Sequence, residues 1–140
     1  MEQQLLVLLL PQPLERFHLE AQARELLRAP GAVAVDPARL PVARFPASLA
    51  AGLAVGQARR MRLPGTPAAV AIFHPLQFYL GGALLARHPA AELWYGEPDE
   101  RGGFEELHTA AAKRAALTFE VTTDLDITPL RQRMVELGIG

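Results

Sequence analysis

A histidine stands where an apolar run stops in VAIFHPLQFYLGG, residues 70–82. His74 is followed directly by Pro75, and Gln77 adds a side-chain amide three positions after it. An imidazole changes charge near neutral pH, so His74 is the first candidate in this chain for acid–base chemistry. A histidine at a strand end is either such a working group or a structural one that bonds a neighbouring carbonyl. The sequence supports both interpretations.

Apolar runs and helical patterns alternate along the chain, and they set the position of His74. The predicted strands are residues 5–10, 32–35, 69–73, 91–95 and 118–123. The predicted helices are residues 14–28, 46–61, 76–88, 104–117 and 129–137. This alternation predicts an α/β fold, with residues 1–140 as one Rossmann-like domain. Its sheet is expected to be doubly wound, mostly parallel and five-stranded, with helices on both faces.

The carboxyl ends of parallel strands share one edge of the sheet, where such folds bind ligands near the point of reversed strand order. We expect the common order 3-2-1-4-5, with the first strand between the third and the fourth. The candidate residues at this edge are Gln12, Asp36, His74, Gln77, Glu97, Asp99, Glu100, Thr122 and Thr123. A carboxylate of the loop from Gly96 is expected near His74, where it would favour the charged imidazole. The alternatives are a simple turn at Asp36 and a solvated loop over residues 96–103.

Composition and motifs exclude several classes of function. A net charge of −1 gives no basic field for nucleic acid. The chain has no cysteine, and its four histidines lack metal-ligand spacing, so we expect no metal and no cofactor. Pro11 and Pro13 stand where a dinucleotide site needs glycines. The only serine, Ser48, is not in a nucleophile elbow.

The remaining features concern location and the less promising polar residues. No signal peptide and no run of ~20 apolar residues is present, so the predicted location is the cytoplasm. Twelve prolines and no asparagine are typical of thermophile proteins. His88 is expected to cap the end of its helix, and His108 is given little functional weight. The spacing Gly52-x-x-x-Gly56 is interpreted as close packing rather than function.

Three stretches resemble the N-terminal half of GT-B glycosyltransferases, enzymes with two Rossmann-like domains. They are LERFHLEAQARELLRAPGAVAVDPAR, VAIFHPLQFYLGGALLARHP and ELWYGEPDERGGFEELHTAAAKRAALTFEVTTDL. The last is similar to the family's tyrosine-bearing strand, acidic loop, helix and hydroxyl-ended strand. The sequence departs from the family at residues 11–13, where a glycine-rich loop is usual. The family's paired glutamates belong to its other domain, which we do not expect within these residues.

The resemblance implies the acceptor side of a sugar-transfer site. A base would take the proton of a glycan or lipid-linked acceptor as the leaving phosphate of a nucleotide sugar departs. It implies His74, or an acid among Glu97, Asp99 and Glu100, as that base, with Thr122 and Thr123 orienting the acceptor. The family's other domain binds most of the nucleotide sugar, so we expect no transfer by these residues alone.

Two further classes of function stay open from the sequence. One is a non-catalytic α/β binding or scaffold module that acts through another protein chain, and the weaker one is a small nucleotide-binding regulator. A glycosyltransferase half is expected to meet either its second domain or another copy of itself. An apolar patch formed by Phe73, Phe78, Tyr79 and the loop around Phe104 would mark that interface.

Overall fold

Five strands form one all-parallel sheet in the computed structural model, which describes residues 3–10, 20–35, 47–98, 104–121 and 126–140. The strands are β1 (Gln4–Leu9), β2 (Ala32–Val35), β3 (Thr66–Ile72), β4 (Glu92–Glu97) and β5 (Leu117–Glu120). The helices are α1 (Glu20–Leu27), α2 (Ala47–Arg60), α3 (Phe78–Arg87), α4 (Glu105–Arg114) and α5 (Thr128–Glu136). The predicted Rossmann-like α/β fold is thereby confirmed.

Two hydrophobic cores lie on opposite faces of the sheet. Residues 5–9 of β1 are completely buried and alternate between the two cores, as a strand covered on both faces must. Helices α1 and α5 cover the core that contains Trp94. Helices α2, α3 and α4 cover the core that contains Tyr95. Helices on both faces confirm the doubly wound arrangement.

The strand order is β2-β1-β3-β4-β5, so the expected order 3-2-1-4-5 is wrong. The two strands with alternating burial, β2 and β5, lie at the edges of the sheet. The strands buried almost throughout, β1, β3 and β4, fill its centre, because only central strands are covered on both faces. The order reverses between β1 and β3, and this is the position where open α/β sheets bind ligands.

Some predicted boundaries differ for local reasons. Strand β3 begins at Thr66, three residues early, because a register shift opposite residues 5 and 6 accommodates Pro67, which has no N–H to donate. Strand β4 continues through Gly96, where a Cβ would lie 2.8 Å from side-chain atoms of Phe119 and Val121. Helix α4 ends early because Ala116 N–H bonds the Leu93 carbonyl at 2.8 Å and joins the sheet.

An ion pair ties α5 to the start of β4, at the amino edge of the sheet. Arg133 Nε donates to Glu92 Oε1 at 2.8 Å, and its Nη2 donates to Oε2 at 2.6 Å. The indole N–H of Trp94 also donates to Glu92 Oε1, at 2.8 Å. The hydrogen bonds from Arg133 are the main cause that holds the pKa of Glu92 below its ordinary value of 4.5. This bidentate pair therefore favours the ionised carboxyl and fixes the position of α5.

We expect this pair to make stability depend on pH in the acid range. Because the folded-state pKa of Glu92 is lowered, the pair contributes fully above pH 4.5 and its contribution is lost as the pH falls through the folded pKa. The variant Glu92→Gln should lower the unfolding midpoint at neutral pH by a few degrees and flatten this acid dependence. Thermal unfolding across pH measures both effects.

The matched control is Glu136→Gln. Glu136 also accepts a hydrogen bond from Arg133, at 2.7 Å, but its side chain is 49% exposed, against 16% for Glu92, and it lies three residues from Arg133 on the same helix. Such an exposed pair contributes little. Equal effects of Glu92→Gln and Glu136→Gln would contradict the special role of the Glu92 pair.

Candidate functional site

The turn that leaves β3, residues 73–77 (the β3 exit turn), places His74 at the carboxyl edge of the sheet. Ile72, the last residue of β3, lies opposite Tyr95 of β4. His74 and Glu97 each follow two residues later, so they stand at the ends of neighbouring strands. The strand order also puts β3 beside the reversal point. This edge is therefore the candidate functional site.

Local hydrogen bonds close the β3 exit turn. His74 has extended backbone angles, φ −154° and ψ 144°, and precedes a single 3-10 turn over Pro75–Gln77. Its carbonyl accepts from Gln77 N–H at 3.0 Å, and its Nδ1 accepts from Leu76 N–H at 3.1 Å. Pro75 has no backbone N–H that would need a hydrogen-bond partner, and its ring fixes φ at a value that suits the first position of the turn. The histidine is thus the N-cap of the turn that leads into α3.

These contacts decide the protonation of His74. A backbone N–H is only a donor, so the Nδ1 that accepts it carries no proton, and the neutral ring must hold its proton on Nε2. Burial lowers the pKa of the half-buried imidazole below 6.5. The sequence predicted that a carboxylate of the loop from Gly96 would favour the charged imidazole, which would raise this pKa. The pKa is instead lowered. His74 at neutral pH is therefore an N–H donor rather than a base.

We predict that His74 is neutral and Nε2-protonated in the free protein. Because its folded-state pKa is lowered, the unfolded state binds more protons below pH 6.5, so its contribution to stability falls as the pH drops through the folded pKa. Nitrogen chemical shifts of the histidine rings, followed by NMR across pH, measure tautomer and pKa together. A proton on Nδ1, or a pKa above 6.5, would refute this assignment.

Aromatic rings form the walls beside His74. The Phe104 ring, immediately before α4, meets the His74 ring edge-on, with centroids 5.6 Å apart and planes at 71°. Phe73 is buried on the other side of the turn and packs edge-on against Phe119 of β5, at 5.9 Å. The expected exposed patch is therefore wrong for Phe73, which is only 5% exposed. Phe78, Tyr79 and Phe104 are half-buried.

A tyrosine–histidine pair lies one strand away and was given little weight from the sequence. The hydroxyl of Tyr95 and Nδ1 of His108 are 2.8 Å apart, and their rings are 5.5 Å apart. Tyr95 is buried, while His108 on α4 is half-buried. The sequence offered one indication of this pair. His108 follows Leu107, next to the apolar face of its helix, which favours partial burial of its ring. The contact joins a residue of a strand to a residue of a helix, so it can be recognised only in the folded structure.

The structure accounts for three of the nine candidate residues. Glu97 is half-buried at the end of β4, and its carbonyl accepts from Val121 N–H at 2.9 Å. Gln77 is buried beside His74, and its Oε1 accepts from Phe73 N–H at 2.6 Å. The other six candidates lie outside the described residues and stay predictions: Gln12, Asp36, Asp99, Glu100, Thr122 and Thr123. His88 caps α3 as expected, with its N–H on the carbonyls of Leu84 and Leu85.

The described residues contain no group of three His, Asp or Glu side chains that could hold a metal ion. Within the same ranges, no helix combines the length and apolar character that a membrane crossing requires. The candidate site consists of the donor at His74, the ring of Phe104 beside it and Glu97 at the end of the neighbouring strand. Comparison with known proteins found no matching family model, curated protein or solved structure.

Proposed function

We propose that this chain forms the acceptor side of a sugar-transfer site, with His74 and Glu97 as the groups that meet an acceptor hydroxyl. The observation that carries the proposal is that a neutral N–H donor, His74, and a carboxylate residue, Glu97, stand at corresponding positions at the ends of adjacent parallel strands. A sugar hydroxyl both donates and accepts, so it is matched by one donor and one acceptor.

Two further features support a carbohydrate ligand. Phe104 offers an aromatic ring next to His74, and the apolar faces of sugar rings pack well on such surfaces. The site also lies at the reversal of strand order, the usual ligand position in open α/β sheets. The resemblance to GT-B glycosyltransferases points the same way, since it assigns the acceptor to this half of the enzyme.

The protonation of His74 changes the roles within this proposal. A ring whose Nδ1 is occupied and whose Nε2 is already protonated holds an acceptor oxygen in place but does not remove its proton. The carboxylate of Glu97 is then the described group suited to act as general base. Asp99, outside the described residues, stays an alternative for that step.

Ligand binding and turnover by the purified chain test the proposal separately. Saturation-transfer NMR with free mono- and disaccharides should show weak binding, and incubation with labelled nucleotide sugars should show no transfer. Transfer is expected to require the second domain of such enzymes, because both reactants must be held in one cleft. Absence of saturation transfer from every saccharide would contradict the acceptor site, and turnover above that of His74→Ala would contradict the division of roles.

A non-catalytic protein-binding module is the second candidate, and one observation favours it. Leu49 and Val55 on α2 are 48% and 44% exposed, and a Cβ on Gly52 would meet nothing within 4 Å beyond its chain neighbours and the backbone of its own helix. If this candidate is correct, light scattering should show association that Leu49→Gln abolishes. A monomer at all concentrations would leave this candidate without support.

A further inference from the structure

Gln77 contacts the peptide backbone on both sides of His74. Its Oε1 accepts from Phe73 N–H at 2.6 Å, before the histidine, and its own N–H donates to the His74 carbonyl at 3.0 Å. Gln77 is only 7% exposed, so the bond to Phe73 is shielded from water. Without that acceptor, the buried N–H of Phe73 would lose this hydrogen bond at the end of β3.

The hydrogen bonds of the turn involve the oxygen of the Gln77 side-chain amide but not its nitrogen. Gln77 Nε2 is buried, and no group among the described residues is its hydrogen-bond partner. Because Phe73 N–H can only donate, the atom that it meets must be the amide oxygen, so exchanging the oxygen and nitrogen assignments does not remove the orphan. Buried unpaired donors are rare in folded proteins, and those that persist are often found at functional sites.

We propose that Gln77 is a positioning residue that holds the His74 ring in its donor orientation. The chain of contacts is short: Gln77 fixes the peptide groups that flank His74, and the fixed turn places Leu76 N–H against Nδ1. That last bond selects the Nε2-protonated form of His74. Gln77 therefore acts on the ligand through His74. This inference rests on the proposed function only where it explains why the donor orientation of His74 matters, namely to hold a ligand.

Two substitutions separate positioning from simple packing. Gln77→Met fills similar space but offers no acceptor to Phe73 N–H, so the turn should relax and His74 should populate both tautomers. Gln77→Glu keeps an acceptor oxygen in place for Phe73 N–H, so it should retain the single Nε2-protonated form of His74.

Gln57→Met is the matched control. Gln57 lies on α2, and its Oε1 is also buried without a hydrogen-bond partner in the part of the chain that the structure describes. Its part of α2 leads to the start of β3, at the opposite edge of the sheet from His74. The same change of residue there should alter stability but leave the tautomer and pKa of His74 as they are in the wild type.

Ring-nitrogen NMR spectra of the three variants and the wild type decide the matter. Mixed tautomers in Gln77→Met together with the single tautomer in Gln77→Glu would support positioning. A wild-type His74 spectrum in Gln77→Met, or mixed tautomers in Gln77→Glu, would overturn it. If Gln77→Met does not fold, Gln77→Leu, which also offers no acceptor, takes its place. Because no saccharide is present, this result is independent of whether the proposed acceptor binds.

Discussion

Replacing Trp94 by alanine should lower the free energy of unfolding by about 3–5 kcal/mol. Trp94 is fully buried in the core between the sheet, α1 and α5, and no other tryptophan is present in the chain. Its removal leaves a large cavity and takes away the indole N–H that donates to Glu92. Small domains are stable by only about 5–15 kcal/mol, so this single change should remove a large part of the total. Urea titration followed by circular dichroism measures it.

Val135→Ala is the control for that experiment. Val135 lies on α5, the helix above Trp94, but is 78% exposed. An exposed substitution of this kind usually changes stability by less than about 0.5 kcal/mol. A Trp94→Ala variant as stable as Val135→Ala would mean that the core beneath α5 is not packed as described.

The second large effect should separate the two roles of His74. Asparagine places an oxygen near the position of Nδ1, so His74→Asn should keep the bond from Leu76 N–H and the stability of the turn. It lacks the outer N–H, so saccharide affinity should fall about two- to tenfold, the usual effect of one lost hydrogen bond. Glutamine reaches the position of Nε2 but not that of Nδ1. His74→Gln should thus lose about 0.5–2 kcal/mol of stability and retain more affinity than His74→Asn.

Calorimetry for stability and saturation-transfer NMR for affinity measure the two roles in the same variants. His88→Asn is the matched control. His88 ends α3, the helix that follows the β3 exit turn, and therefore lies at the other edge of the sheet. Its substitution should leave saccharide affinity unchanged. Parallel losses of stability and affinity in His74→Asn and His74→Gln would show that the histidine only caps the turn.

The fold class was predictable because the signals are local. Residues 5–10 form an apolar run without polar interruption, which is typical of a strand buried on both faces. The strand order was not predictable in the same way. Whether β1 lies next to β3 or next to β4 depends on which strands are covered on both faces, and this is a property of the assembled sheet.

The positions of His74 and Glu97 were predictable from the sequence, but the protonation of the imidazole was not. His74 and Glu97 were placed at one edge because each follows or ends a parallel strand. The state of the imidazole depends on a bond between residues 74 and 76 that forms only in one turn geometry. The Tyr95–His108 contact joins a strand to a helix and has no signature in the sequence beyond partial burial. Local sequence patterns therefore locate the edge of the sheet, while the protonation states of its residues can be assigned only from the three-dimensional structure.

The most direct test of the acceptor site is an amide proton–nitrogen NMR titration with glucose, mannose and maltose. The account predicts that shift changes concentrate in the β3 exit turn, at the amides of Phe73, His74, Leu76 and Gln77, and at Glu97 on the adjacent strand. The Nε2 resonance of His74 should move with them. Changes confined to the amino edge, at Gly31, Gly65 or His88, or no change with any of the three sugars, would contradict the central claim that this edge binds a sugar acceptor.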